Sequence, residues 1–139
     1  MIEDKVTFFG HRNIRCLHNR TIEITKESSL STRGDCIVGI SASKACNDFD
    51  SEFKARLCDS TRKMVLEIIV NDLTFQMHGF TDQRLTLSNC HDIVIRKSRY
   101  TCPRTICVLC DKGSSDIPRN LVKELQNPST SAKLTISIE

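Results

Sequence analysis

Residues 36–57 and 104–125 of this chain carry one pattern twice, 68 positions apart. CIVGISASKA (Cys36–Ala45) lies over RTICVLCDKG (Arg104–Gly113), with Lys44 on Lys112. DFDSEFKARL (Asp48–Leu57) lies over DIPRNLVKEL (Asp116–Leu125), each opening on an Asp. Apolar residues then recur every fourth position: Phe49, Phe53, Leu57 against Ile117, Leu121, Leu125. That spacing marks one face of a helix, and Pro118 suits a first helical turn, where its missing N–H costs nothing. The match continues outward. TIEITK (Thr21–Lys26) aligns with DIVIRK (Asp92–Lys97), VTFFG (Val6–Gly10) with FQMHG (Phe75–Gly79), and KMVLEI (Lys63–Ile68) with KLTISI (Lys133–Ile138), at offsets of 71, 69 and 70. Five pairings in one order predict an internal duplication, approximately 1–69 and 70–139, within a single domain.

Each half reads strand, short strand, strand, strand, helix, strand. Ile22 and Ile24 alternate with Glu23 and Thr25, and Met64, Leu66 and Ile68 share a face, the pattern of antiparallel sheets with one wet side. A unit of about 70 residues is marginal alone, so the halves are expected to share one core. The expected fold is mainly β, a sandwich or closed barrel of two pseudo-symmetric repeats, each carrying one short helix outside.

Composition narrows the class. A net charge of +3 over 139 residues is well short of a dedicated nucleic-acid binder. No run approaches the roughly 20 apolar residues of a membrane span, and MIEDKVTFFGH lacks a signal-peptide pattern, so a cytoplasmic protein is expected. Eight cysteines without an export signal read as free, mostly buried thiols.

GHRNIRCLHNRTIEITKE (Gly10–Glu27) followed by STRGDCIVGISASKA (Ser31–Ala45), with DQRLTLSNCHDIVIRKS (Asp82–Ser98) and PRTICVLCDKG (Pro103–Gly113) in the second half, resembles a family of small archaeal proteins, domain of unknown function 371. The resemblance covers nearly the whole chain. It implies a duplicated, mainly β, cytoplasmic archaeal protein and no activity. Family members typically read Ala-Asp-Lys-Ala where this chain has Ala42-Ser43-Lys44-Ala45.

Candidate chemistry gathers at strand entries. His11, Asn13, His18 and Arg20 precede the strand carrying Glu23; His18 corresponds to Asn89, Arg20 to His91 and Thr21 to Asp92. Such polar recurrence suits either a composite pocket or turns whose side chains bond local backbone. In RGDC, Arg33 and Asp35 suit a loop ion pair, or Arg33 an anion-holding fork. RKSRY (Arg96–Tyr100) sets basic residues beside the only Tyr, the makings of a phosphate-tracking surface or of a strand edge protected by charge. Cys102, Cys107 and Cys110 have plant-type ferredoxin spacing, but residues three apart on a strand face opposite ways, which argues against a cluster. Cys16, His18, His78, Cys90 and His91 are zinc-ligand types without a close-spaced pair. No metal or cofactor is expected.

The leading expectation is a non-catalytic binding module for a small anionic ligand or RNA. Its site would comprise His11, Asn13, His18, Arg20, Glu23, Arg33 and Asp35 with Arg84, His91, Asp92 and Arg104. The alternatives are an enzyme, perhaps hydrolytic, using a His–Asp pair in the same loops, with His18 as its base, and a protein-interaction subunit meeting its partner through exposed strand edges.

Overall fold

The computed structural model describes residues 1–31 and 34–139. The chain runs β1 (Ile2–Phe9), β2 (Thr21–Thr25), β3 (Ile37–Gly39), α1 (Ser51–Cys58), β4 (Lys63–Val70), β5 (Leu73–Phe80), β6 (Asp92–Arg96), β7 (Thr105–Cys107), α2 (Arg119–Leu125) and β8 (Ser131–Ile138). The fold is mainly β. One four-stranded sheet has the order β1-β8-β4-β5, the other β3-β2-β6-β7.

Alternation builds the first sheet. Met64, Leu66, Ile68 and Val70 are buried on β4, and they face Ile138, Ile136, Leu134 and Ala132 of β8 across the ladder. Each of these side chains contributes roughly 1.5–3 kcal/mol by leaving water, the small Ala132 less. The second sheet turns Ile22, Ile24, Ile93 and Ile95 into the same core. Phe49, Phe53 and Leu57, with Ile117, Leu121 and Leu125, seal the barrel from outside and are all at most 3% exposed. The Asp50 carboxylate accepts the Phe53 N–H at 2.8 Å and so caps α1. Pro118 sits one place before the first turn of α2, as its N-cap.

Two short bridges join the sheets edge to edge. Phe9 and Ile40 exchange both backbone hydrogen bonds at 2.9 Å, and so do Phe80 and Val108. The two sheets therefore close into a barrel, and much of the edge that an interaction subunit would offer is spent within the chain.

Three expectations need correction. β2 pairs with β3, and β6 with β7, in parallel; the loops between them are long enough for a crossover, which strand alternation does not reveal. No strand forms between Gly10 and Arg20, where Cys16 has a φ of 52° and breaks the extended chain. Finally, β4 and β8 start 68 residues apart, not 70. A slip of two leaves every side chain on its face, so the hydrophobic pattern cannot detect it.

Hydrogen bonds recur at the same spacings. Glu23 N–H bonds Cys36 O as Val94 N–H bonds Arg104 O, and Asn47 N–H bonds Asn89 O as Ser115 N–H bonds His18 O. Cys16 and Leu87, and Ser41 and Leu109, are two further pairs, each with φ between 50° and 54°.

Candidate functional site

On β2 and β6 the side chains that face away from the core are Thr21, Glu23, Thr25 and Asp92, Val94, Arg96. Glu23 lies directly across from Val94 in the antiparallel ladder. Arg104, just before β7, reaches over them: one guanidinium nitrogen lies 3.1 Å from Glu23 Oε1 and 3.1 Å from Asp92 Oδ2. The carboxylates are largely covered, their side chains 11% and 17% exposed, while Arg104 remains 39% exposed. Burial pushes the Glu23 carboxyl up, the Asp92 charge adds to the rise, and Arg104 and Arg96 oppose it.

Arg96 occupies the other flank. Its Nε donates to Thr105 Oγ1 at 2.9 Å, its Nη2 donates to Cys102 Sγ at 3.3 Å, and its guanidinium stands 4.8 Å from the Tyr100 ring centre. Burial disfavours the Cys102 thiolate, but hydrogen bonds from Thr105, from the Arg104 backbone and from Arg96 outweigh it and draw the thiol down to about 7. Nearby, Cys46 donates to the Arg104 carbonyl at 3.2 Å, and burial holds its thiol up at about 12. Within this cluster hydrogen bonds favour the thiolate at Cys102, and burial disfavours it at Cys46.

Of the residues expected at the site, Glu23, Asp92 and Arg104 converge. The rest are dispersed. His18 Nδ1 accepts the N–H groups of Arg20 and Thr21, both at 3.1 Å, as Asn89 Oδ1 accepts those of His91 and Asp92. His11 Nδ1 accepts the Asn13 N–H at 3.0 Å, and Asn13 donates to Leu30 O at 2.7 Å. These two histidines hold turns together, the work expected of short polar side chains in loops. Arg20 is exposed. His91 is exposed beside Glu27 at 3.7 Å, and Asp35 pairs with Arg15 at 3.5 Å. Arg84 forks onto Asp82 and donates to Arg99 O at 2.8 Å, so it fastens the 98–102 loop. Arg33 lies outside the described residues, and with it the expected Arg33–Asp35 pair.

Arg96 and Cys102 are the members that sequence reasoning missed. RKSRY is not a strand edge: only Arg96 lies in β6, an interior strand, and residues 97–100 follow it in a loop. The relation of Arg96 to Cys102 spans a loop and follows no spacing rule; the one hint was a basic run ending in Tyr.

The argument about Cys107 and Cys110 also needs correction. β7 ends at Cys107, and Leu109, with a φ of 51°, turns the chain so that Cys107 and Cys110 both lie against Gly79. Cys102 is elsewhere, on Arg96. Among the described residues, no three His, Cys, Asp or Glu side chains are placed to hold a metal ion.

Two concavities lie on the first sheet instead. A groove of about 540 Å³ runs over the row Lys5, Thr135, Glu67 and Gln76. A mostly apolar cavity of about 410 Å³ adjoins it, lined by Met64, Gly79, Phe80 and Leu109, with His78 and Asp111 among its polar residues. Asp111 Oδ1 accepts the His78 N–H at 2.9 Å; Ser43 Oγ does the same for Thr7 at 3.0 Å, so the hydroxyl at 43 performs the backbone task of an acid.

A closed, mainly β chain with a partly covered ion-pair centre and a thiol held by Arg96 defines a class of protein without naming a reaction. The chain belongs to the family described as domain of unknown function (DUF371), whose model matches residues 6–139. It is similar to an uncharacterized protein of Methanocaldococcus jannaschii, 42% identical over 117 residues, which cover 84% of this chain and 86% of that protein. Among the described residues, no helix is long and apolar enough to cross a membrane.

Proposed function

We propose that this protein is a non-catalytic binding module for a small anion of the phosphate or carboxylate class, held where Arg96, Thr105 and Cys102 meet beside Arg104. The observation that carries this reading is the Arg96 guanidinium, which among the described residues pairs with no carboxylate and instead points its donors at Thr105 Oγ1, 2.9 Å away, and Cys102 Sγ, 3.3 Å away. The same donors favour the Cys102 thiolate against burial, so negative charge is favoured there. The ligand is small rather than a polynucleotide because the net charge is only +3. Lys26, Lys44, Arg62, Arg84, Lys97 and Arg104, six of the twenty Lys and Arg, also face a carboxylate at 3.4 Å or less. Titration with inorganic phosphate at low salt, followed by backbone NMR, tests the reading. Shifts should centre on residues 96–105 and vanish in Arg96→Ala; shifts elsewhere, or unchanged in the variant, would overturn the assignment.

An enzymatic reading has one supporting observation, and it moves the base from His18 to His78, whose Nδ1 lies 3.5 Å from Asp111 Oδ2 beside the apolar cavity. Turnover lost in His78→Ala and kept in His18→Ala would favour it.

We also infer that the chain is one domain made by duplication of a unit, 1–69 and 70–139. The hydrogen bonds and positive-φ residues that recur 68 or 71 positions apart support this.

A further inference from the structure

The side chains of Cys107 and Cys110 take no part in the anion centre, although the Cys110 N–H donates to the Arg96 carbonyl at 2.9 Å. Cys107 Sγ donates to the Val108 carbonyl at 3.6 Å and Cys110 Sγ lies 4.0 Å from Asp111 Oδ1, and both residues pack against Gly79 across the turn at Leu109. Cys107 is fully buried and Cys110 is 4% exposed. The Cys107 sulfur fills the space that Gly79 leaves by having no side chain, and Gly79, Leu109 and Asp111 line the 410 Å³ cavity. The fold does not require thiols here. At the positions 68 residues earlier stand Gly39 and Ala42, in the same local geometry: Ser41 has a φ of 50°, and Ile40 bridges Phe9 as Val108 bridges Phe80.

We propose that Cys107 and Cys110 form a redox pair that reduces a small organic disulfide admitted through the adjoining cavity. Cys110 is the attacking member. The nearby Cys107 thiol draws the Cys110 thiol down despite burial, while Cys110, with burial, pushes Cys107 up. The Cys110 thiolate attacks one sulfur of the disulfide, and the other leaves with the bonding electrons and takes the proton that Cys110 gave up. Cys107 then loses its proton and attacks the Cys110 sulfur, which expels the second thiolate to be protonated in turn. Two small thiols are formed, and the protein holds a Cys107–Cys110 disulfide. This goes beyond the anion-binding reading and uses none of its residues.

Trypsin isolates the pair, because cleavage after Arg104 and Lys112 yields the peptide 105–112 with these two cysteines alone. The native protein is incubated with oxidised glutathione, quenched with acid and mapped without reductant. The peptide should become two hydrogens lighter and recover with dithiothreitol. Cys107→Ala should stop at a mixed disulfide on Cys110, whereas Cys110→Ala should leave Cys107 unmodified. The double variant Cys107→Ala/Cys110→Ala should remain folded, with a melting temperature lowered by the space it opens beside Gly79, and should take up no glutathione. A peptide that stays dithiol in the folded protein and oxidises only in urea would overturn the proposal. So would glutathione trapped on Cys107 in preference to Cys110.

Discussion

Replacing Arg96 with Ala tests the anion centre most directly, because Cys102 reports on it without any added ligand. A thiol at about 7 is half ionised at neutral pH; at the ordinary value near 9 it would be roughly 1% ionised, about fifty-fold less. Reactivity changes by less. A more basic thiolate is a better nucleophile, with a Brønsted slope of about 0.4–0.5, and two units return roughly eight-fold. Full loss of the shift would therefore slow alkylation at pH 7 about six-fold. Arg96 is one contributor beside Thr105 and the Arg104 backbone, so a two- to four-fold slowing is the order of magnitude expected. The assay is iodoacetamide labelling of the folded protein at a series of pH values, read on the tryptic peptide 100–104, which contains Cys102 as its one cysteine. The midpoint for that peptide should lie near 7 and move upward in Arg96→Ala, while labelling of the exposed Cys90 should not change. A wild-type midpoint near 9, or one that ignores the substitution, would refute the reasoning.

Arg104→Ala strips two covered carboxylates of their counter-ion and should cost about 2–4 kcal/mol, below the top of the range for buried pairs because Arg104 is partly exposed. Adding Glu23→Gln should restore much of that loss in urea denaturation; no rescue would mean that Arg104 acts by packing alone. Gly10→Ala would set a methyl against the Leu125 and Asn127 carbonyl oxygens, where α2 ends, and should cost on the order of 1–3 kcal/mol, measurable as a lower melting temperature. Asp48 and Asp116 accept the N–H groups of Ala45 and Gly113 and lie beside Lys26 and Lys97, which holds both carboxyls below their ordinary value. Such groups stabilise the fold above pH 3.8 and lose that contribution as pH falls through their folded values. Stability should therefore drop in acid, and Asp48→Asn with Asp116→Asn should flatten the drop.

What was legible in the sequence follows from which patterns carry a period. The helix stripes Phe49–Phe53–Leu57 and Ile117–Leu121–Leu125 were readable because only a helix puts every fourth residue on one face. Strand alternation fixed which residues point inward, yet it misled about the direction of β3 and β7, which were expected antiparallel, since three residues read alike in parallel and antiparallel ladders. Glu23, Asp92 and Arg104 were found through polar recurrence at strand entries. The same signal drew in His11 and His18, because a turn-capping imidazole and a catalytic one are the same residue type before contacts are known. Arg96 and Cys102 carry no period at all. Cys107 and Cys110 were misjudged because alternation was extended past the strand's end, beyond the left-handed residue at Leu109.

On the duplicated reading, the chemistry lies where the two halves differ. β2 meets β6 with Glu23 opposite Val94, residues that the 71-residue offset makes equivalents of each other. A symmetric ancestor would have placed two identical side chains there, and two carboxylates facing each other under cover would repel. The present chain has one acid and one apolar residue, and draws its second acid from Asp92, whose counterpart is Thr21. Its counter-ion Arg104 has Cys36 as counterpart, and Arg96 has Thr25. Every member of the ion-pair centre is thus present once, and together they turn a symmetric seam into a site with one cationic and one anionic flank. Cys107 and Cys110, set against Gly39 and Ala42, follow the same rule at the barrel's second closure. Removing the members present once is therefore the sharper test of function: Arg96→Thr, which inserts the residue that stands at its counterpart Thr25, and Cys107→Ala/Cys110→Ala. Each should leave the protein folded while removing phosphate binding or disulfide reduction, respectively. Loss of both properties in either variant would mean that the two centres are one.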